Sequence, residues 1–379
     1  MQRPTTEGRD TSYKTAELVK LVSEIGPDIP EISRRLGQFK ESVRYRYKEK
    51  VLGRGFGVQA SVNHEKLGLR RVVFFADFSP QYKQYAHSIL SAMSELCFVV
   101  GFEKRMFRGD YYVEASVPSE HVGEFVSFMS RLKEKGLFST LEVYPFDLFR
   151  NVPMRADAYD FDTGRWDFDW SAPMQPAGDE DYHPPEKVKF DKEDLLILKE
   201  LQVDATRSFV EIAEKLKLNY KMLSWHYKTH VLQRSMISGY YLRWMGTTYS
   251  TVLEKALHRK HRYQQLALLA VDLSKVQRMT LMARAHEIPF LWSEMLGEGS
   301  YCAQFFFPTE NITDAYQFLT AAVAEIKDKV LVMPLDQTEA LAFTVSHQQF
   351  DGKKWLFNEA ELVSRFDALL QKIEEIGGQ

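Results

Sequence analysis

The chain has 379 residues, enough for two to four small domains. Its hydrophobic fraction of 45% and its charged fraction of 27% are typical of a soluble globular protein. The formal net charge of −3 excludes a general attraction to nucleic acid, so any affinity for DNA must come from local basic surfaces. No stretch approaches the roughly 18 to 20 apolar residues of a membrane span, and the N-terminus has no apolar signal-peptide core, so we expect a cytoplasmic protein.

The N-terminal segment has the pattern of three short helices. Leu18 and Leu21 recur at helical spacing in the first, and Val43 and Tyr47 mark the inner face of the third. The β-rich stretch GFGVQASVN follows as a wing. This order predicts a winged helix-turn-helix domain over residues 1–63.

Residues 64–170 contain four predicted strands and two predicted helices in βαββαβ order, which is typical of a ferredoxin-like domain. The strands are RRVVFFADFS, FVVGFEKRMF, YYVEASVP and STLEVYPFDLF. The motif FDTGRW at 161–166 closes the block. We interpret it either as a turn whose tryptophan covers a sheet face or as a loop that touches a ligand. An acidic, proline-bearing linker is predicted at residues 171–189.

After the linker the helical pattern returns. Asp191 can cap a first helix, Ser208 and Glu211 have the spacing of a capping box, and Asn219 can cap a third helix. The stretch MISGYYLRW follows as a second wing. We predict a second winged helix-turn-helix domain over residues 190–246.

This second unit resembles the Lrp/AsnC (leucine-responsive, feast/famine) transcription regulators of bacteria and archaea. In that family the pattern D-x-x-D-x-x-I-L-x-x-L-Q-x-D-A-R-x-S-x-x-E-I-A opens the DNA-binding domain. The chain carries it, with Thr206 inserted, at Asp191, Asp194, Ile197, Leu198, Leu201, Gln202, Asp204, Ala205, Arg207, Ser208, Glu211, Ile212 and Ala213. The resemblance implies that double-stranded DNA is a partner, and that the ferredoxin-like block is a ligand-sensing and oligomerisation domain of the type called RAM.

The second half of the chain repeats the first. Leu18 pairs with Leu198 and Tyr47 with Tyr227 at a constant offset of 180 (198 − 18). Residues 247–358 again give the βαββαβ order and end in FDGKKW, an echo of FDTGRW. The chain is therefore interpreted as a tandem duplication.

The predicted fold class is α+β, a tandem repeat of a winged helix-turn-helix followed by a ferredoxin-like βαββαβ (RAM-like) domain. The two sheets of one chain should pack as a pseudo-dimer, and further homo-oligomers remain open. Residues 359–379 have the pattern of a closing amphipathic helix. We expect this helix to pack on the second half, with docking of a partner as the alternative.

The third helix of a helix-turn-helix lies in the major groove of DNA. Arg44 is the best candidate for a paired contact to guanine, and the lysines are better suited to phosphates. Trp225 could stack on a sugar or pack against another domain. A solvated helix face that binds nothing is the alternative for both units. The candidate DNA-binding residues are Arg34, Arg35, Lys40, Glu41, Arg44, Tyr45, Lys48, Arg54, Lys221, Ser224, Trp225 and Lys228.

Two turns are candidate sites for an amino-acid-like effector. The resemblance implies a G-x-Y-D-like signature between the second and third sheet strands, and Gly109 and Asp110 match it in altered order. Gly297, Gly299 and Ser300 occupy the corresponding turn of the second half. A carboxylate and exposed amides could hold the two charged ends of an α-amino acid. The alternative is a tight turn that needs glycine at positive φ.

The sequence shows no recognisable catalytic motif and no motif of paired cysteines for a metal, so we expect no enzyme, cofactor or metal. Siroheme decarboxylases resemble the family in fold and use a His-Asn-Tyr-type motif. The comparable stretches GFEKR and EGSYC lack it. The predicted function is a sequence-specific, nucleoid-associated transcription regulator. The alternatives are an interaction platform of the transcription machinery with weak or non-specific DNA binding and, less favoured, a siroheme-decarboxylase-like enzyme.

Overall fold

The structure of the protein, a computed structural model, describes residues 6–174, 184–244 and 263–377. The middle of the predicted linker 171–189 and the first part of the predicted domain 247–358 lie outside the described residues. Among the helices that are described, none is long and apolar enough to cross a membrane.

The first half follows the predicted order of elements. It begins with the helices α1 (Thr6–Ile25), α2 (Ile29–Leu36) and α3 (Lys40–Arg46) and the strand β1 (Gly57–Val62). The sheet block contains β2 (Leu69–Phe78), α4 (Ala86–Leu96), β3 (Val99–Arg105), β4 (Tyr111–Pro118), α5 (Val122–Glu134) and β5 (Phe138–Phe146). The strand β6 (Leu148–Asn151) continues β5, and FDTGRW closes a hairpin of β7 (Tyr159–Asp160) and β8 (Arg165–Trp166).

The second half repeats this order. Its helix-turn-helix consists of α6 (Lys192–Val203), α7 (Phe209–Leu216) and α8 (Tyr220–His226), followed by β9 (Ile237–Arg243). Its sheet block contains β10 (Tyr263–Ala270), α9 (Lys275–Ala285), β11 (Leu291–Leu296), β12 (Tyr301–Pro308), α10 (Ile312–Ala322) and β13 (Val330–Ala342), and α11 (Glu359–Gly377) ends the described chain. The predicted fold class is confirmed.

Side-chain caps fix the ends of the short helices where the sequence predicts them. Ser208 and Glu211 form a reciprocal capping box at the start of α7, and Asn219 accepts the backbone N–H of Lys221 at 2.9 Å at the start of α8. Each third helix then widens into a π-helical turn, at Tyr47–Val51 after α3 and at Tyr227–Leu232 after α8. The two turns lie 180 residues apart, so this change of helix type belongs to the repeated fold.

The two wings join the two helix-turn-helix units. Each wing supplies one strand, and β1 pairs antiparallel with β9, with Val58 opposite Leu242. The first helix of each unit packs against the strand of the other, α1 on β9 and α6 on β1. Gly26 shows how close this contact is, because a Cβ there would lie 2.7 Å from the ring of Tyr240. The two units are therefore held as a pair.

The two ferredoxin-like sheets form one nine-stranded sheet, in the order β5-β2-β4-β3-β13-β10-β12-β11-β6. The far part of β13 pairs with β3 of the first half, and β6 pairs with β11 of the second. Because β6 directly continues β5, the two ends of this strand order are neighbours in the chain. We refer to the region where the two sheets meet as the seam. Residues of both halves form an apolar core cluster there, which includes Phe75, Tyr112, Met295, Cys302 and Met333.

The closing segments of each half cover the other half. The indole N–H of Trp355 donates to the backbone oxygen of Leu67 at 2.8 Å, and that of Trp166 donates to the hydroxyl of Tyr263 at 3.3 Å. The tryptophan of each motif, FDTGRW or FDGKKW, thus contacts the opposite half.

Helix α11 also crosses over, which corrects the expectation that it packs on the second half. Its Phe366 contacts Phe128 of α5 with ring centroids 5.6 Å apart, and Lys135 of α5 pairs with Asp367. The amphipathic pattern correctly predicted one buried stripe, but such a stripe does not specify which apolar surface covers it.

Candidate functional site

The solvent-facing side of α3 carries the residues that the helical pattern predicts. Val43 is fully buried, whereas Lys40, Arg44, Tyr45 and Lys48 are exposed. Glu41 is also exposed, and its carboxylate lies 3.9 Å from the Arg44 guanidinium, too far for a hydrogen bond. The Arg44 fork therefore remains able to contact a partner.

Three other candidate cations of the first unit have partners within the chain. Arg34 and Arg35 both bind the Glu31 carboxylate, at 2.6 and 3.0 Å, and these hydrogen bonds lower the pKa of Glu31 to about 2. Arg54 donates to the backbone oxygen of Asp162. These arginines contribute charge near α3, but part of each guanidinium is already engaged within the chain.

The corresponding side of α8 is less cationic and more apolar. Lys221 and Lys228 are exposed, and Ser224 is half-buried. Trp225 is 53% exposed, and its ring stands edge-on to His230 at 4.8 Å between centroids. The structure thus places a large flat side chain at the middle of the second helix face.

The first predicted effector turn is closed by its own side chains. Gly109 has φ +74°, the left-handed conformation that favours glycine. Asp110 is buried, and both of its carboxylate oxygens accept hydrogen bonds from Arg105, whose guanidinium stacks on Phe75 at 4.2 Å. The Asp110 carboxylate therefore holds the turn and the sheet together, and its binding to an effector remains a prediction.

The second predicted effector turn borders a cavity of about 200 Å³ between the two halves. Gly297 lines the cavity, and its backbone oxygen accepts a hydrogen bond from Arg278. Arg70 of the first half lines the other side and pairs with Asp147 at 3.0 Å. Gly299 and Ser300 act through their backbone oxygens, which accept from the N–H groups of Leu273 and Gly297. Asp147 and Glu298 also line the cavity, so its two arginines are matched by two carboxylates.

The seam between the sheets also contains buried carboxylates that the sequence interpretation missed. Glu114 accepts hydrogen bonds from Tyr112 at 3.0 Å and Gln304 at 2.7 Å, and Gln265 donates to Glu103 at 3.3 Å. Burial, together with the charge of Glu114, raises the pKa of Glu103 to about 8. Burial likewise raises the pKa of Glu114. The available signal was an acidic residue inside the apolar strand YYVEASVP.

Another buried carboxylate, Glu294, lies farther along the sheet. Glu294 binds Arg150, accepts the hydroxyl of Tyr301 at 2.7 Å and lies 3.0 Å from the His286 ring nitrogen. Burial favours the neutral acid, but the His286 contact and the positive charge of Arg150 hold the pKa of Glu294 below its usual range. Glu294 therefore belongs to a buried ion-pair network. Glu103 and Glu114 form a protonatable pair, in which the Arg71 guanidinium, 3.7 Å from the Glu114 carboxylate, opposes the effect of burial on the pKa of Glu114.

No family model and no curated protein sequence matches the chain. Among solved structures, the siroheme decarboxylase NirDL is similar over 93% of this chain and 99% of its own, with 12% identity and a TM-score of 0.52. NirDL in complex with an iron-uroporphyrin III analogue is similar over 95% and 99%, with 11% identity and a TM-score of 0.51. AsnC of E. coli is similar over 35% of this chain and 90% of its own, with 15% identity and a TM-score of 0.28. At these identities the similarity shows the fold alone.

The expectation that the chain is not an enzyme is contradicted, because the structures similar over the full length are those of an enzyme. There is a physical reason why the Lrp/AsnC-like pattern did not indicate an enzyme. Its residues build the scaffold: Asp191 and Ser208 cap helices, and Leu198 and Ile212 are fully buried. A pattern of caps and core residues identifies the Lrp/AsnC-like fold and does not distinguish a regulator from an enzyme built on it.

Proposed function

We propose that the chain binds double-stranded DNA through the third helices of its two paired helix-turn-helix units. The observation that supports this best is the uncovered face of α3. It combines the cations Lys40, Arg44 and Lys48 with Tyr45, which is 67% exposed.

The chemistry of this face fits the parts of a DNA duplex. The Arg44 fork matches the O6/N7 pair of guanine in the major groove, and a flexible lysine ammonium suits a phosphate. Phe39, 85% exposed at the start of α3, and Tyr45 can pack on sugars or thymine methyl groups. Exposed aromatic side chains beside cations are difficult to explain as a merely solvated helix face.

The pairing of the two units predicts the form of the target. Because β1 and β9 hold the units together, both third helices should reach one duplex. Half-sites would then lie about one helical turn apart, roughly 34 Å, and their sequences would differ because the two surfaces differ. Regulation of transcription by such binding, with a small amino-acid-like effector in the cavity beside Gly297, is the finer form of the proposal.

The test is selection of bound duplexes from a random pool, followed by footprinting of the enriched site. We expect an asymmetric site protected at two positions, and an affinity that falls steeply as salt rises because bound cations release counterions from the phosphates. Binding without any enriched sequence would instead support an interaction platform with non-specific affinity. No binding at low salt would contradict the proposal.

A second candidate function is a reaction on a tetrapyrrole carboxylate, the class of substrate that siroheme decarboxylase is named for. Its support is the full-length similarity in fold, together with the titratable groups buried in the seam. Decarboxylation replaces a carboxylate by hydrogen, with one proton taken up and carbon dioxide released. Glu103, with a pKa of about 8, can hold such a proton near neutral pH.

The second candidate is tested by adding siroheme to the purified chain. Binding should change the visible absorption of the tetrapyrrole, and turnover should release carbon dioxide. Glu103→Gln should abolish turnover, whereas Ser293→Ala in the second half should not. A tetrapyrrole that neither binds nor reacts would remove this candidate and leave the DNA proposal untouched.

A further inference from the structure

Two aspartates and two histidines converge within the second helix-turn-helix unit. Asp191 and Asp194 lie at the start of α6, His226 ends α8, and His230 lies in the following π-helical turn. One potential ligand atom from each residue lies within 4.8 Å of all the others. We refer to these four residues as the Asp–His cluster.

The distances in the Asp–His cluster fit a tetrahedral metal site. His226 Nδ1 lies 3.0 Å from the Asp194 carboxylate and 3.6 Å from that of Asp191. His230 Nδ1 lies 3.0 Å from Asp194 and 3.7 Å from Asp191. Metal–ligand bonds of about 2.0–2.2 Å in tetrahedral zinc sites place neighbouring ligand atoms roughly 3.3–3.6 Å apart. We propose that the Asp–His cluster binds one divalent cation of the zinc class.

The donor types and their burial support this assignment. Two imidazoles with two carboxylates suit zinc and similar divalent metals better than magnesium or calcium, which prefer oxygen alone. Asp194 and His226 are buried, whereas the Asp191 side chain is 37% exposed and leaves a path for an ion to enter. Four protein ligands leave no open position, so the proposed site is structural rather than catalytic.

The surrounding contacts orient the ligands before an ion arrives. The backbone N–H of Asp191 donates to Asp194 at 3.1 Å, and that of Asp194 donates to Asp191 at 3.0 Å. This capping box fixes both carboxylates, and each oxygen keeps a lone pair for a metal. The Trp225 ring stands edge-on to both imidazoles, at 5.1 and 4.8 Å, and covers them on one side.

The first helix-turn-helix unit shows that the repeated fold does not require these residues. At the positions equivalent to Asp194, His226 and His230 it has Lys14, Arg46 and Lys50, which cannot form such a site. There Lys50 instead binds Asp162 at 2.7 Å, an ion pair with the FDTGRW turn. The Asp–His cluster is thus a property of the second unit alone.

A bound cation would connect the start of α6 to the end of α8. It would therefore stiffen α8, the third helix of the second unit, and the surface around Trp225. This inference does not depend on the proposed function. The spacings D-x-x-D and H-x-x-x-H are visible in the sequence, where Asp191 is interpreted as a helix cap and Asp194 as part of the Lrp/AsnC-like pattern.

The experiment uses the full chain, treated with a chelator and then titrated with Co²⁺. We expect one cobalt per chain with the visible absorption of tetrahedral coordination, loss of that absorption when Zn²⁺ is added, and a rise in Tm with Zn²⁺. His230→Gln should weaken cobalt binding by about a hundredfold or more, because one of the four ligands is lost. His87→Gln, which changes an exposed histidine outside the cluster, is the matched control.

Asp191→Asn keeps the test decisive if His230→Gln does not fold. Asparagine still caps α6 but removes one anionic ligand, so cobalt binding should weaken while the unfolding of the metal-free chain changes little. The proposal is overturned if no tetrahedral spectrum appears. It is also overturned if both variants bind cobalt as tightly as the original chain, since the ion would then lie elsewhere, for example at His258 and His261 outside the described residues.

Discussion

The third helices of the two units, α3 and α8, have the same backbone conformation but expose different side chains. Each turns one apolar residue, Val43 or Leu223, into the core, and each widens into a π-helical turn at the same place. At the solvent-facing position of Arg44 in the first unit, the second has Ser224. The fold is thus fixed by caps and core residues, whereas the chemistry is carried by positions that the fold leaves free.

The same contrast holds inside the joined sheet. Glu114 of the first half corresponds to Gln304 of the second, at an offset of 190 (304 − 114). The strand pairing places Glu103, opposite Tyr112, at the position of Met295, opposite Cys302. The acidic side chains of the first half accept hydrogen bonds from neutral partners of the second, as in the pair Glu114 and Gln304. Duplication followed by such divergence gives one chain two non-equivalent surfaces and an asymmetric interior.

The sharpest test of the shared scaffold is a matched pair of core substitutions. Leu18→Ala and Leu198→Ala each remove a fully buried side chain at equivalent positions and should each lower the free energy of unfolding by about 3 kcal/mol. Because α1 packs on β9 and α6 on β1, each variant should loosen both units. Urea unfolding of the full chain measures the loss. A variant within about 0.5 kcal/mol of the original chain would show that the two scaffolds are not equivalent.

Local features of the fold could be predicted because they depend on neighbours in the sequence. The caps at Asp191, Ser208 and Asn219, the βαββαβ order and the inward face of α3 are of this kind. The pairing of β1 with β9 and the packing of α11 on the first half could not be predicted. An apolar stripe indicates that a face is buried but does not indicate which surface covers it. Within the candidate sites, the same limit hid the contact of Arg54 with Asp162.

The DNA proposal predicts that the two third helices contribute unequally to sequence reading. Arg44→Ala should weaken binding to the selected site by about 1–3 kcal/mol and relax one base position, because a paired contact to guanine is lost. Ser224→Ala, at the equivalent position of α8, should change affinity and preference little. Binding measured on the selected duplex and on single-base variants checks both. Equal losses for the two variants would contradict the unequal roles.

The protonatable pair in the seam predicts a pH dependence of stability. The pKa of Glu103 is about 8 in the folded chain, well above that of an unfolded glutamate, so the folded state holds an extra proton between about pH 4.5 and 8. Stability should therefore fall as pH rises through this window, by an amount on the order of 5 kcal/mol. Glu103→Gln should remove this loss, which Tm measured from pH 5 to 9 would show. Met295→Leu, at the equivalent position of the second half, should shift the Tm without changing the shape of the profile.

The smallest predicted change in the free energy of unfolding concerns Glu200, a buried carboxylate whose equivalent in the first unit is a lysine. Glu200 is fully buried and pairs with Lys199, Arg207 and Lys215, whereas the equivalent residue of the first unit is the exposed Lys20. Burial favours the neutral acid, but Lys215 and Lys199 hold the pKa of Glu200 below its usual range. Because they remain partly exposed, solvent screens the pairs, and Glu200→Gln should cost only about 1 kcal/mol.

Hydrogen exchange can assign the loss caused by Glu200→Gln to one unit. Faster exchange should appear first in α6 and α7, which Glu200 connects through Arg207 and Lys215. Lys20→Gln should leave exchange in α1 and α2 unchanged, since that side chain lies exposed on the helix surface. Equal effects of the two substitutions would mean that ion pairs do not distinguish the units. The contrast would then rest on the faces of the third helices and on the Asp–His cluster.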